Sequence, residues 1–269
     1  MKILFLSVFI FVVSLYADSF DYSKYDQILQ QNVNNGLVNY KNLKSDQHQL
    51  TEFLQQTSRV DAKVFSSWPT NEKKAFWINS YNAITIYGIL QNYPIQWGGF
   101  MARRRFPQSS IRQISKFWDT PFVKIMGKDI TLNQIEHEIL RKKFADPRIH
   151  FVLVCASIGC PVLESHAFSP ENLDERLDEA ARAFILNPDK VKLDRSEKKL
   201  YLSSIFDWYK KDFKASKKAL QDLEKYGDKD RGVIEFVIRF LPESDGAFIL
   251  QIQPKIKYLK YDWSLNEQK

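Results

Sequence analysis

The apolar positions of this chain follow a helical rhythm over most of its length, with a few short runs that read as strands. From Ala75 onward, Phe76, Trp77, Ile78, Tyr81, Ile84, Ile86, Tyr87, Ile89 and Leu90 crowd one segment. At 100° per residue they cover most directions, which predicts a helix over about 71–91 that is buried all round. Pro69-Thr70 opens it and Asn92-Tyr93-Pro94 closes it. Shorter helices are predicted at about 21–33 (ended by Asn34-Asn35-Gly36), 46–56, 132–144, 170–187, 204–213, 217–225 and 232–240. Thr131 and Gln134 have capping-box spacing at the head of the helix over 132–144. Ile149 to Cys155 is apolar and β-branched and reads as an interior strand. Hairpins are predicted around Gly127-Lys128 and Arg195-Ser196, and closing strands at 247–252 and 256–261. No repeat and no long linker divides the chain. The reading is a single α+β domain over 18–269, with helices packed around a mostly antiparallel sheet.

The first 17 residues, MKILFLSVFIFVVSLYA, stand apart. Lys2 precedes an apolar run from Ile3 to Leu15, and Ala17 offers a small residue before Asp18. This is the layout of a secretory signal peptide, so a periplasmic or secreted protein is expected. The run is shorter than the ~20 apolar residues that a span needs. Leu15 at the minus-three position leaves an uncleaved anchor as the alternative. No transmembrane span is expected after signal removal.

Composition narrows the function classes. Apolar residues make up 44% and aromatic residues 14%, enough for a sizeable core. Two Cys cannot build a disulfide-rich scaffold or a four-Cys zinc site. Four scattered His add no metal-ligand spacing, so neither metal nor cofactor is called for. The net charge of +7 is mixed, 39 basic against 32 acidic residues. Arg103-Arg104-Arg105, with Arg112 and Lys116, form a basic loop. In an exported chain that loop reads as a solvated surface or a contact to an acidic envelope, and no nucleic acid is expected.

Three groups of residues break the bland pattern. Glu136 falls inside the apolar stripe of Leu132, Ile135, Ile139 and Leu140, so it should be buried. A buried carboxylate must be paired, hydrogen-bonded or protonated. It reads as a structural ion pair with Arg or Lys, or as a tuned site carboxylate. His137 lies at the edge of the stripe. Asn79 and Asn82 sit three apart on the buried helix, and their amides need partners. They either clamp a loop or orient a catalytic group. The third group lies in 148–161, Arg148 to Pro161. As a strand it would place His150 and Cys155 on opposite faces. Cys160 follows a Ser-Ile-Gly turn and precedes Pro161, where a helix N-terminus would lower its pKa. Cys155 and Cys160 read as a disulfide, as inert thiols, or as a pair of which Cys160 is the reactive and more accessible one.

Phe76-Trp-Ile-Asn-Ser-Tyr-Asn-Ala83, Leu132-Asn-Gln-Ile-Glu-His-Glu-Ile-Leu140 and Asp146-Pro-Arg-Ile-His-Phe-Val-Leu-Val-Cys155 occur in order. Cys160-Pro161, Leu202-Ser-Ser-Ile-Phe-Asp-Trp-Tyr-Lys210 and Tyr258-Leu-Lys-Tyr-Asp-Trp-Ser-Leu265 follow. This ordered set resembles the family catalogued as domain of unknown function 547, over roughly residues 65–265. The resemblance implies no settled activity. The family pattern favours Gly after the first Cys and a second Pro after Cys-Pro, and this chain has neither.

Two functions stay open. One is a thiol-dependent hydrolase or transferase of papain-like logic, with Cys160 as nucleophile and His150 or His137 as base. Glu136 and Asn79 would then orient and stabilise. The other, slightly favoured, is a non-catalytic envelope binding or interaction module for a small-molecule or peptide ligand. In that reading Asn82, Cys155 and Arg148 are structural or binding residues.

Overall fold

The computed structural model describes residues 19–269, so the signal-peptide reading of 1–17 lies outside the described residues. The chain runs through α1 (Ser23–Asn32), β1 (Val33–Asn34), β2 (Leu37–Val38), α2 (Tyr40–Ser45), α3 (His48–Arg59) and α4 (Ala62–Ser67) into α5 (Thr70–Gln91). Helix α5 is the axle of the first core, as its all-round apolar pattern predicts. Seventeen of its 22 residues are buried, and Tyr25, Phe53, Phe117, Ile135 and Ile149 belong to the same cluster.

After α5 come α6 (Phe100–Arg105), the hairpin β3 (Val123–Ile125) and β4 (Lys128–Ile130), and a π-helix over Gln134–Phe144. The capping box forms as the spacing predicts. Thr131 N donates to Gln134 Oε1 at 2.9 Å, and Gln134 N donates to Thr131 Oγ1 at 3.1 Å. Helix α7 (Leu173–Leu186) leads to β5 (Val191–Asp194) and β6 (Lys199–Leu202), an antiparallel hairpin in the predicted place. Then follow α8 (Ser204–Trp208), α9 (Lys217–Asp222), α10 (Asp228–Ile238), α11 (Glu243–Ile252) and β7 (Lys255–Tyr258). A second apolar cluster, with Phe151, Phe184, Phe206, Phe213 and Phe236, lies among these later elements.

The architecture is mixed α/β, but the sheet is smaller than expected. Two two-stranded hairpins and one three-stranded sheet replace a common antiparallel sheet, and β7 joins β6 in parallel. No papain-like arrangement is shown. Two predicted strands are corrected. Residues 247–252 lie in α11, where Pro242, Glu243 and Asp245 make a helix-favouring first turn. Residues 149–155 are not a strand either. Asp146 caps a 3₁₀ turn over Pro147–Phe151 by accepting from Arg148 N at 3.0 Å, and the chain then runs irregularly.

What replaces the missing strand partner is the pair of asparagines on α5. Asn82 Nδ2 donates to Val152 O at 2.9 Å, and Val154 N donates to Asn82 Oδ1 at 2.9 Å. Asn79 does the same for Phe168, donating to its O at 2.7 Å and accepting from its N at 2.9 Å. One turn of helix thus pins two separate loops. Ion pairs reinforce the first. Asp146 meets both the buried Lys74 at 2.9 Å and Arg148 at 2.7 Å, and Arg148 reaches on to Asp174 and Asp178. Burial alone would raise the Asp146 carboxyl, but Arg148 and Lys74 outweigh it and hold it at about 2.

Asn82→Ala orphans two buried backbone groups at once. It is expected to destabilise the fold by about 2–4 kcal/mol, read from the urea midpoint at constant m-value. A loss under about 0.5 kcal/mol would remove the clamp from this account.

Candidate functional site

A cleft of about 980 Å³ opens between the π-helix, the loop before β3 and the segments carrying Trp208 and Trp263. Its floor holds Tyr81, Glu136, His150 and Tyr209, and its walls include Phe106, Arg112, Trp118, Trp208, Tyr261 and Trp263. The sulfurs of Cys155 and Cys160 lie on one side.

Glu136 is buried, as the stripe predicts, but no Arg or Lys neutralises it. Tyr209 OH donates to its Oε1 at 2.6 Å and Tyr81 OH to its Oε2 at 3.0 Å. Each carboxylate oxygen therefore has a phenol in place of water. Burial, and then the charge of Glu136, push both tyrosine hydroxyls well above their ordinary range. Both stay protonated, and so keep donating to Glu136, at any ordinary pH.

Beside this group runs a second polar chain. His150 is 4% exposed and stacks on the Tyr209 ring at 4.0 Å between centroids. Its Nε2–H donates to Asp212 Oδ2 at 2.7 Å. Arg141 grips the same carboxylate with Nε at 2.6 Å and a second nitrogen at 3.0 Å. The remaining guanidinium nitrogen donates to His137 Nδ1 at 3.0 Å, 3.8 Å from which lies Glu136 Oε1. Burial lowers the His150 pKa, although Asp212 and Glu136 pull the other way. Burial would raise Asp212, but the hydrogen bonds from His150 and Arg141 overcome it and hold the carboxyl far below the usual range.

Cys155 and Cys160 form a disulfide, with Cα atoms 6.3 Å apart. Cys155 N points at Cys160 Sγ at 2.9 Å, and Tyr261 OH lies 3.1 Å from the same sulfur. Ser157 Oγ is 3.4 Å from each sulfur. No histidine nitrogen is a hydrogen-bond partner of either. Gly159 lets the tyrosine approach, because a Cβ there would stand 2.7 Å from the ring.

The structure brings together Glu136, His137, His150, Cys155 and Cys160 along one cleft, and it separates the others. Asn79 and Asn82 clamp backbone and do not line the cleft, the Asn79 amide bonding Phe168 and the Asn82 amide Val152 and Val154. Arg148 belongs to the ion cluster around Asp146. The expectation for the thiols is reversed. Cys160 is 4% exposed and starts no helix, since the next one begins at Leu173, while Cys155 is half-buried. The residues that sequence reasoning missed are Asp212, Arg141, Tyr81, Tyr209 and Tyr261. Asp212 sits among Lys210, Lys211 and Lys214, and nothing local marks it as the partner of a histidine 62 positions away.

Residues 65–185 match the family described as protein of unknown function, DUF547. The DUF547 stretch contributes Tyr81, Glu136, His150 and both cysteines to the cleft. Tyr209 of the floor, and Trp208, Tyr261 and Trp263 of the wall, come from beyond its end. No curated protein and no solved structure matches the chain. Among the described residues, no group of three or more His, Cys, Asp and Glu could hold a metal, and no helix is long and apolar enough to cross a membrane.

The polar chain has a pH signature. His150 has a lowered pKa in the fold and the ordinary 6.5 when unfolded. The unfolded chain therefore binds a proton that the fold refuses, and stability falls as pH drops below 6.5. The slope from one such group is at most about 1.4 kcal/mol per pH unit. Asp212 and Asp146, both depressed, add a second loss as pH falls below 3.8. Urea unfolding between pH 7.5 and 5 should fall less steeply for His150→Gln than for the parent. Parallel curves would show that His150 is not held neutral.

Proposed function

We propose that this protein is an exported, non-catalytic binding module. Its cleft would hold a small-molecule or peptide ligand that presents a ring or planar face and an anionic group. The pairing of Cys155 with Cys160 carries this reading, because it leaves no thiol free to act as a nucleophile among the groups of the cleft. The neighbouring acids and histidines are also spent on one another. Glu136 is taken by two phenols, and Asp212 by His150 and Arg141. A base poised for proton transfer needs a reacting group within reach.

The wall supports the ligand chemistry. Trp208 is 46% exposed and lies nearly parallel to Trp263, centroids 5.7 Å apart, with Tyr261 against both. Such faces stack on sugars and aromatic rings. Arg112 lies over Phe106, Trp118 and Trp263 at 4.9, 5.7 and 5.2 Å. Arg112 and Lys116 make no ion pair among the described residues, so they can meet an anionic substituent. Placement in the periplasm or outside the cell rests on the leader-like residues 1–17.

Tryptophan fluorescence titration tests the reading with three probes: an oligogalacturonate, N-acetylmuramyl dipeptide and indole-3-acetate. Saturable quenching by at least one is expected. Trp208→Ala and Arg112→Ala should each weaken it about tenfold or more, with the unfolding midpoint little changed. Intact-mass analysis should show no iodoacetamide adduct without reductant. Thiol labelling of the native protein, with ester turnover lost in Cys160→Ser, would overturn the proposal. So would the absence of a saturable response to all three probes.

A further inference from the structure

We propose that the tip formed by Trp97 to Arg105 docks this protein on an anionic lipid surface, independently of what the cleft holds. Phe100 is 70% exposed, Met101 56% and Trp97 43%, three large apolar side chains within five residues. Exposed apolar side chains gathered in this way mark an interaction surface more often than chance. Arg103, Arg104 and Arg105 follow directly and are all exposed.

The charge around the tip has one sign. Between Gln91 and Trp118 the sequence holds four Arg and one Lys, and neither Asp nor Glu. Arg103 lies over the Trp97 ring at 5.2 Å and Arg104 over the Phe100 ring at 5.5 Å. Each guanidinium is thus carried at the edge of an apolar surface. That is the arrangement an acyl and headgroup boundary accepts, with rings below and cations level with the phosphates. A protein partner would need a complementary acidic pocket, whereas an anionic bilayer offers both layers over any area.

The tip is also built rather than loose. Gln113 is 5% exposed, and its side chain organises the whole loop. Its Oε1 accepts from Gly98 N at 3.0 Å, while Nε2 faces Phe106 O at 3.0 Å, Pro107 O at 2.9 Å and Ala102 O at 3.3 Å. A Cβ at Gly98 would stand 2.2 Å from Gln113 O, so the base of the loop is drawn tight. At Gly99 nothing lies within 4 Å of where a Cβ would be, so the outer end is open. The apolar residues are therefore held outward before any contact, and docking orders little further.

The test is co-sedimentation of the chain from Asp18 to Lys269 with vesicles of phosphatidylglycerol and phosphatidylcholine, or of phosphatidylcholine alone. This chain keeps every described core residue and removes the apolar leader, which would itself bind lipid. Binding to the anionic vesicles, and little to the neutral ones, is expected. Phe100→Ser with Met101→Ser should weaken it at least about tenfold. Arg103→Gln, Arg104→Gln and Arg105→Gln together should weaken it about a hundredfold. All five positions are exposed, and unchanged circular dichroism and urea midpoints check that the fold survives. Failure of the parent to bind anionic vesicles overturns the proposal. Unaltered binding by the Phe100/Met101 variant also overturns it, because adsorption would then be charge alone. Equally tight capture by heparin or duplex DNA, with weak vesicle binding, would assign the tip to a polyanion instead.

Discussion

Two amide side chains, three residues apart on one helix, hold the middle of this structure together. An apolar helix can bury itself on all sides only if the backbone packed against it finds hydrogen bonds from somewhere. Around α5 there is no broad sheet to supply them. Asn79 and Asn82 offer a donor and an acceptor each, in the spacing of a peptide group, and so behave as two short pieces of strand edge. The loops at 152–154 and at 168 are fixed by them. Those loops bracket the cysteine turn, so the cleft takes its shape from a pair of side chains that never enter it.

The same economy governs the charged groups. Asp146, Lys74 and Arg148 secure the start of the turn that carries His150, and Asp212, Arg141 and His137 secure its end. Each buried charge has a fixed counterpart or fixed hydrogen-bond donors, which is the condition for keeping it in a low-dielectric interior. A network this well satisfied gives a rigid floor under aromatic walls.

Legibility in the sequence followed how local each determinant is. Helix α5 was readable because its apolar residues cover every direction. The capping box at Thr131 and Gln134 and the hairpins around Gly127 and Arg195 were readable because the signals lie within a few residues of each other. The burial of Glu136 was readable from its phase in the stripe, but its two tyrosine partners were not, since Tyr81 and Tyr209 are 55 and 73 positions away. Ile149–Cys155 was misread because a run buried on all sides fits a strand or a turn equally well. What decided it was an asparagine some seventy residues earlier. The cysteine spacing left three fates open, and only the fold of the intervening turn chose among them.

The segment 261–268 is threaded back to residues 32–40. Asn266 receives Tyr40 OH at 2.8 Å and donates to Gly36 O at 3.1 Å, while Val38 N and Ala156 O bond its backbone. Gln268 Nε2 reaches Asn32 O and Leu37 O. Tyr261 and Trp263 are carried into the cleft wall by this return. Most of the first core is built from residues before 180, but the aromatic wall of the cleft is not. That wall closes only once Asn266 and Gln268 pair with residues more than two hundred positions earlier. A chain clipped just before Tyr261 would therefore hold a nearly finished interior and an open-sided cleft.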